Sequence, residues 1–492
     1  MKYIGPFFRM NSLSKKEIES QLFFLCKESL KHITLESRCG VVASAKTYKK
    51  YLSSEDMNIL KDFSPLLAIY KKGKPKLNSS KHFNSWSDES LKKEVNCSSN
   101  AMMTYCIISL MDYYKKFKAL KTYNFTLYNI YKTMSKLQLD FYSTYLRNGD
   151  GVFIDKKNLS NASSEISLSD ANKKFKLSDQ AFMMNSYYYY WMSFKDDKDS
   201  TSYKDFSLEI LNMFLNFKQE LYSLSFEECL KLCLAFNCFY KLCPNNDLSC
   251  LIIDLTDYLI DKSDEKNYIF DGLDNSCLLS INLYLSYKNT KMENFKDSFI
   301  NLSERHKKLF NIENSLFLKP NEKKEIKYTS LELFTFMINM LLLNEFRNSD
   351  TMEDKSLLSS LYKNSIINSN IVLSWPEAPS LDSNERYIDL SLDAEDLLEE
   401  TMFRMSSSQT PSTIGLAPIF IKSVSFSKKK NVFLPSKASF DSSKHLFICF
   451  LITHLFKDKV MNYWFNNKRD VKLDKVSELD ESLNQSELNS KN

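Results

Sequence analysis

Breakers of regular structure are scarce: the 492 residues hold only 7 glycines and 10 prolines. Turn-dense β-sandwiches and barrels need such residues at roughly 8–12-residue spacing, so an all-β fold is excluded and long helices are expected. Metal-binding cysteine patterns are missing as well. The 11 cysteines are odd in number and contain no C-x-x-C pair, which argues against a disulfide framework and for reduced, buried thiols in a cytoplasmic protein. Cys229 and Cys233 share a helix face, but Cys238 and Cys243 point elsewhere and fit no zinc spacing. The five histidines are scattered, no Glu-x-x-His spacing occurs, and no glycine loop could cradle a phosphate. Neither a metal nor a cofactor is expected.

Long apolar runs are also absent. The two longest, around Leu333–Leu343 and Leu446–Phe456, fall well short of the ~20 residues of a membrane-spanning helix. Met1–Pro6 opens no signal-like apolar core. No membrane partner is expected. Charge of one sign is not concentrated: 66 Lys and Arg against 61 Asp and Glu give a net +5. The two signs interleave, without the basic stripe that nucleic acid demands, so no nucleic-acid partner is expected.

What is present is aromatic and periodic. There are 36 Phe and 27 Tyr, and Lys, Asn and Ser are abundant too. This is a compositional bias that leaves single aromatics little functional weight. Ser14-Lys15-Lys16-Glu17 is a capping box that opens a helix to about Ile33. A short strand is expected within Thr34–Ala43 and an exposed loop over Lys71–Ser87. From Asp88 the apolar series Met103, Ile107, Leu110, Tyr114, Phe117 and then Leu127, Ile130, Met134, Leu137, Phe141 reads as two antiparallel helices. Further helices are predicted at about 177–194, 205–222, 225–243, 248–262, 275–289, 292–310, 330–346 and 354–365, with caps at Ser225-Phe226-Glu227-Glu228 and Thr329-Ser330-Leu331-Glu332. After Ile371 the texture changes. A helix is expected at Ala394–Met405, and short strands at Ile419–Phe426, Val432–Leu434 and Leu446–Ile452, the last equally readable as a closing helix. From Asn466 the chain reads as a polar tail.

Successive hairpins leave two architectures, a closed α/α toroid or an open α-solenoid. The fold class expected is mainly α, with α-hairpins over 88–370 closing into a toroid. Residues 1–87 supply an N-terminal helix, a short strand and a loop; 371–465 form a small β-containing C-terminal region; 466–492 are the tail.

The stretch Tyr145–Asp155, with its Asn148-Gly149-Asp150-Gly151 turn and Val152-Phe153-Ile154, is followed by Leu177-Ser178-Asp179-Gln180-Ala181. Together they resemble the glycine–aromatic–aspartate loop and Asp-polar-Ala helix of six-hairpin toroids, among them carbohydrate-processing hydrolases, lyases and sugar epimerases. The resemblance implies a funnel above the inner helices, with Asp155, Asp179, Gln180, Tyr188 and Trp191 near it. Cleaving a glycosidic bond needs one protonated and one ionised carboxyl. Asp155 and Asp179 are therefore candidates, as are Glu377 and Glu385 in the non-helical stretch that also carries Trp375 and Arg386. Gln180, Trp191, Trp375 and Arg386 are the candidate ligand contacts. Each has a plainer reading. Asn-Gly and Asp-Gly make hairpin turns, Asp179 complements a helix N-terminus, and Tyr187–Trp191 spreads around a whole helix, which fits core burial. The Glu377–Arg386 stretch equally reads as an inter-domain turn. Asp441 and His445, four residues apart, are a weaker pair. Two functions are therefore expected from different classes: a toroid that binds or processes a carbohydrate or other small polar ligand, or a non-catalytic scaffold holding a protein partner along a groove.

Overall fold

The computed structural model describes residues 13–78, 84–118, 123–160, 166–172, 174–265, 272–319, 324–348, 351–376 and 415–465. The expected helix at Ala394–Met405, the tail from Asn466, and Glu377, Glu385 and Arg386 lie outside the described residues.

Among these residues, twelve long helices carry the architecture. They are α1 (Lys15–Lys31), α2 (Cys97–Lys115), α3 (Tyr123–Tyr145), α4 (Leu177–Ser193), α5 (Ser200–Asn216), α6 (Phe226–Leu242), α7 (Asn246–Glu265), α8 (Leu273–Thr290), α9 (Glu293–Lys307), α10 (Ser330–Arg347), α11 (Met352–Tyr362) and α12 (Ser442–Phe465). The even-numbered helices pack in sequence, α2 on α4, α4 on α6, α6 on α8, α8 on α10 and α10 on α12, and α12 returns to α2. The odd-numbered helices stand outside this ring, each against its neighbour in the chain, while α1 packs on α12. This is an (α/α) toroid of six hairpins. The return of α12 to α2 removes the open solenoid.

The ring therefore reaches beyond the 88–370 stretch expected to hold it. Its sixth hairpin joins the two ends of the chain, a pairing that local periodicity cannot announce. Phe23 and Trp464 meet edge to face at 5.8 Å, Tyr463 donates to Glu19 at 2.9 Å, and Ser29 bonds His445 at 2.8 Å. Leu446–Ile452 is accordingly not a strand but part of α12. A short run that is apolar on every side looks alike as strand or buried helix, and α12 is apolar all round because helices surround it.

Small polar side chains stitch the inner ring. Ser186 donates to the Ala101 carbonyl at 2.7 Å, Asn185 to that of Ala235 at 2.9 Å, Asn282 to that of Leu230 at 2.9 Å, and Ser280 to the Asn339 side chain at 2.7 Å. Each is fully buried, where an unpaired polar group would cost about 1–3 kcal/mol. These contacts set the rotational phase of each helix. Burial also holds His306, His445 and His454 neutral, with pKa pushed down to about 3.

Antiparallel strands feed the ring from one end. β1 (Gly40–Val42), β2 (Leu66–Gly73), β3 (Lys92–Val95), β4 (Lys156–Asn158) and β5 (Leu168–Asp170) pair in that order. β6 (Phe310–Asn311) and β7 (Leu316–Phe317) form a small hairpin, β8 (Glu325–Thr329), β9 (Ser423–Ser427) and β10 (Val432–Leu434) a three-stranded sheet, and β11 (Phe440–Asp441) pairs with β2. β3, β8 and β11 run almost directly into α2, α10 and α12. The strand expected in Thr34–Ala43 is shortened to Gly40–Val42, because the chain first prolongs α1 as a π-helical turn, His32–Glu36. The expected exposed loop Lys71–Ser87 begins inside β2 and ends on a Trp86 that is only 2% exposed. The Trp86 indole N–H donates to His32 Nε2 at 2.9 Å, which leaves the ring proton on Nδ1, facing Glu36 at 3.1 Å.

Candidate functional site

All six inner helices begin at the same mouth of the ring, and their second residues are Ser98, Ser178, Glu227, Asp274, Leu331 and Ser443. All six line one cavity of about 260 Å³. One helical turn deeper, four residues on, the wall continues with Met102, Lys231, Leu278, Thr335 and Phe447. Residues i and i+4 share a helix face, so two rings of side chains make a funnel with a polar rim and a mostly apolar floor. Lys71, Lys176 and Lys444 complete the rim.

Capping fixes each helix start and hence the rim. The Asn96 side chain accepts the Ser99 N–H at 3.0 Å. Thr329 and Glu332 form a complete capping box at α10. At α6 only half of the expected box forms. Ser225 accepts the Glu228 N–H at 3.3 Å, but the Glu228 carboxylate crosses to α4 and accepts the Ser178 N–H at 2.9 Å. The same step recurs one helix earlier, where Asp179, third residue of α4, accepts the Ser98 N–H of α2 at 3.1 Å.

The stretch Tyr145–Phe194 meets the funnel wall here. Its turn is a hairpin. The Asn148 side chain accepts the Asp150 and Val152 N–H groups at 3.0 and 3.1 Å, and Gly151 sits at φ +81° with Arg147 Nη2 only 2.8 Å from where a Cβ would stand. Gln180 ties this hairpin to α4. It accepts the Phe153 N–H at 2.9 Å and donates to the Phe153 carbonyl at 2.8 Å.

Asp155 and Asp179 come together at the N-terminus of α2. Asp155 accepts the Cys97 N–H at 2.9 Å and the Asn96 amide at 3.1 Å, with Lys176 at 3.7 Å. Asp179 takes, besides its backbone bond, the Ser98 hydroxyl. One ligand atom from each of Cys97, Asp155 and Asp179 lies within 4.8 Å of the other two. Burial, and next the charge of Asp155, push the Asp179 carboxyl up to about 7. Burial works against the Lys176 ammonium, yet Asp179, Asp155 and Glu228 together outweigh it and raise its pKa. Asp179 itself is 2% exposed and is bonded to the rim residue Ser98.

The other expected residues lie apart. Trp191 is twelve residues beyond Asp179 on α4, about 18 Å along the axis at ~1.5 Å per residue, with Lys204 and Lys195 at 4.7 and 5.2 Å from its ring. Tyr187–Tyr190 are all buried. Trp375 is also buried, at 6% exposure. Asp441 bonds Ser443 rather than His445, whose Nδ1 accepts the Phe420 N–H at 3.1 Å.

Ser98, Ser178, Glu227, Asp274 and Ser443 were not among the candidate site residues of the sequence. Their signal is positional, since the second residue of each inner helix faces inward, but which helices are inner emerges only from the closed ring. At the opposite end, a cavity of about 370 Å³ lies among the helix C-termini. There Lys457 pairs with Asp112 and Lys241 with Asp458 at 2.7 Å.

Fold and mouth together define a six-hairpin toroid with a polar-rimmed funnel at its inner-helix N-termini. Among solved structures, the chain is similar to the cellobiose 2-epimerase of Bacillus thermoamylovorans, at 10% identity and TM-score 0.48, over 84% of this chain and 95% of that one. It is similar to a D-mannose isomerase at 8% identity and TM-score 0.48, over 91% and 99%. It is similar also to the GH76 α-mannanase of Bacteroides thetaiotaomicron at 11% identity and TM-score 0.41, over 89% and 96%. No family model matches the chain, and no curated protein sequence does.

Proposed function

We propose that this protein binds a carbohydrate in the funnel at the inner-helix N-termini. The observation that carries the reading is the convergence of three serines and two carboxylic residues from five of the six inner helices on one cavity of about 260 Å³. A sugar presents hydroxyls all round its ring, and hydroxyl and carboxylate groups on several sides of a concave site match that pattern. The apolar floor of Met102, Leu278 and Phe447 suits the C–H face of a sugar. In this reading Asp155 and Asp179 hold the funnel wall, and Gln180 holds the hairpin against it. A closed ring offers no extended concave face of the kind a solenoid presents to a protein partner.

Isothermal titration or saturation-transfer NMR against glucose, mannose, galactose, N-acetylglucosamine, cellobiose and mannobiose tests this. At least one sugar should bind saturably, and Leu278→Trp, which fills the floor, should weaken it at least tenfold while the protein stays folded. Absence of saturable binding across the panel, or binding indifferent to Leu278→Trp, would overturn the reading.

A further inference from the structure

The funnel has an apolar neighbour. A groove of about 610 Å³ lies beside it, lined by Phe175 and Leu177 at the start of α4, Met213 and Phe217 at the end of α5, and Leu221 and Leu224 in the link to α6. Because α5 returns to the end of the ring where α6 begins, the groove stands at the same mouth as the funnel. Two of its aromatics are left in solvent, Phe217 at 63% and Phe175 at 46% exposure. Exposed aromatics scattered singly need no explanation, whereas two converging on one concave apolar surface mark a binding site.

The wall between the two cavities is one backbone thick. Leu177 lines the groove and the next residue, Ser178, lines the funnel, while on α6 Glu227 lines the funnel and Glu228 the groove. The Glu228 carboxylate joins the two sides of this wall by accepting the Ser178 N–H at 2.9 Å. Lys176 lines both cavities. Its ammonium stands 3.7 Å from Asp155, and half of its side chain is exposed. A lysine suits such a crossing, since its methylene stem covers apolar groups while its charged head stays in polar surroundings. Successive Cα atoms are only ~3.8 Å apart, so a short covalent link over Lys176 spans from one cavity to the other.

We propose that the funnel's ligand is a glycoside with an apolar aglycone, the sugar seated in the funnel and an alkyl or aryl group lying in the groove. This deepens the carbohydrate reading and rests on it. Continuity with the funnel decides the occupant. A free hydrocarbon fills the groove and leaves the hydroxyl- and carboxylate-rimmed funnel empty, and a free sugar does the reverse. One molecule carrying both halves covers both surfaces for a single loss of translational freedom.

The probes are the methyl, butyl, hexyl and octyl glycosides of glucose, mannose and galactose, in both anomers, each kept below its critical micelle concentration and titrated calorimetrically into the full-length protein. For at least one sugar, affinity should rise along the series by up to about fourfold per methylene, and at least thirtyfold from methyl to octyl, with an increasingly negative heat-capacity change. The double variant Phe175→Ser, Phe217→Ser, at two solvent-exposed positions, should weaken the octyl glycoside at least tenfold and leave the methyl glycoside within twofold. Phe217→Ser alone should weaken the octyl glycoside at least threefold. Leu278→Trp should weaken both ligands. Thermal melts of each variant establish that it is folded. Affinity indifferent to chain length, a gain that survives the double variant, or octanol binding as tightly as the octyl glycoside would overturn the proposal and leave sugar binding in the funnel standing. A dimer in sedimentation equilibrium that the double variant disperses would overturn it too, because a second copy would then fill the groove. If neither the methyl glycosides nor the free sugars bind, the carbohydrate reading itself falls, and this inference with it.

Discussion

Asp179 shows how a single residue can serve two ends that conflict. Its carboxylate complements the N-terminus of α2, where negative charge is favoured, yet burial and the nearby Asp155 raise its pKa from 3.8 to about 7. A carboxyl whose pKa rises on folding holds its proton in the folded protein after the unfolded chain has released it. The folded state therefore binds more protons between pH 3.8 and about 7, and stability falls as pH climbs through that window. Asp179→Asn keeps the oxygen that accepts from Ser98 and has no charge to bury. Urea unfolding at pH 5 and pH 8 should show wild type losing more stability between the two than the variant, by an amount on the order of 2–4 kcal/mol. Other raised carboxyls, Glu19 and Asp140 among them, affect both proteins equally and cancel. Equal losses would mean that Asp179 stays ionised throughout.

At the scale of the element, the inner helices are not capped independently. The third residue of α6, Glu228, caps α4, and the third residue of α4, Asp179, caps α2. Neighbouring helices are thus fixed at a common height, which is what aligns their second residues into one rim. Glu228→Ala should cost about 1 kcal/mol, as the loss of a helix cap does, although Glu228 belongs to a different helix from the one it caps. Glu228→Gln, which retains an acceptor, should cost only a few tenths. Urea midpoints measure both, and equal effects for the two substitutions would argue that charge rather than the acceptor matters. This relay also explains what could and could not be read in the chain. The helices and the Ser14 and Thr329 boxes were legible because each depends on residues within a few positions of one another. Ser225-Phe226-Glu227-Glu228 looked like a self-contained box, but its glutamate answers to Ser178, fifty residues away. The hairpin at Asn148–Gly151 was legible from its turn residues, whereas the rim residues Glu227 and Asp274 carry no local signature. They are ordinary acids in a first helical turn until the ring is closed around them.

For the whole molecule, closure rests on the two ends of the chain. α1 and α12 make the sixth hairpin although more than four hundred residues separate Phe23 from Trp464. No helix among the described residues is long and apolar enough to cross a membrane. The all-round apolar surface of α12 packs between α2, α10 and α1. The funnel depends on it, because Ser443, Lys444 and Phe447 form one side of the cavity. A double-mutant cycle on Phe23→Leu and Trp464→Phe measures the closure directly. Both side chains are buried, at 0% and 4% exposure, and each substitution should cost roughly 1–2 kcal/mol in urea unfolding. Because the rings touch, the double variant should depart from the sum of the singles by at least about 0.5 kcal/mol. Independent sites would add to within that margin, and additivity here would mean that the ends of the chain do not meet. With coupling present, the double variant should also bind the panel's sugar more weakly than either single, since a loosened α12 carries Lys444 away from the rim.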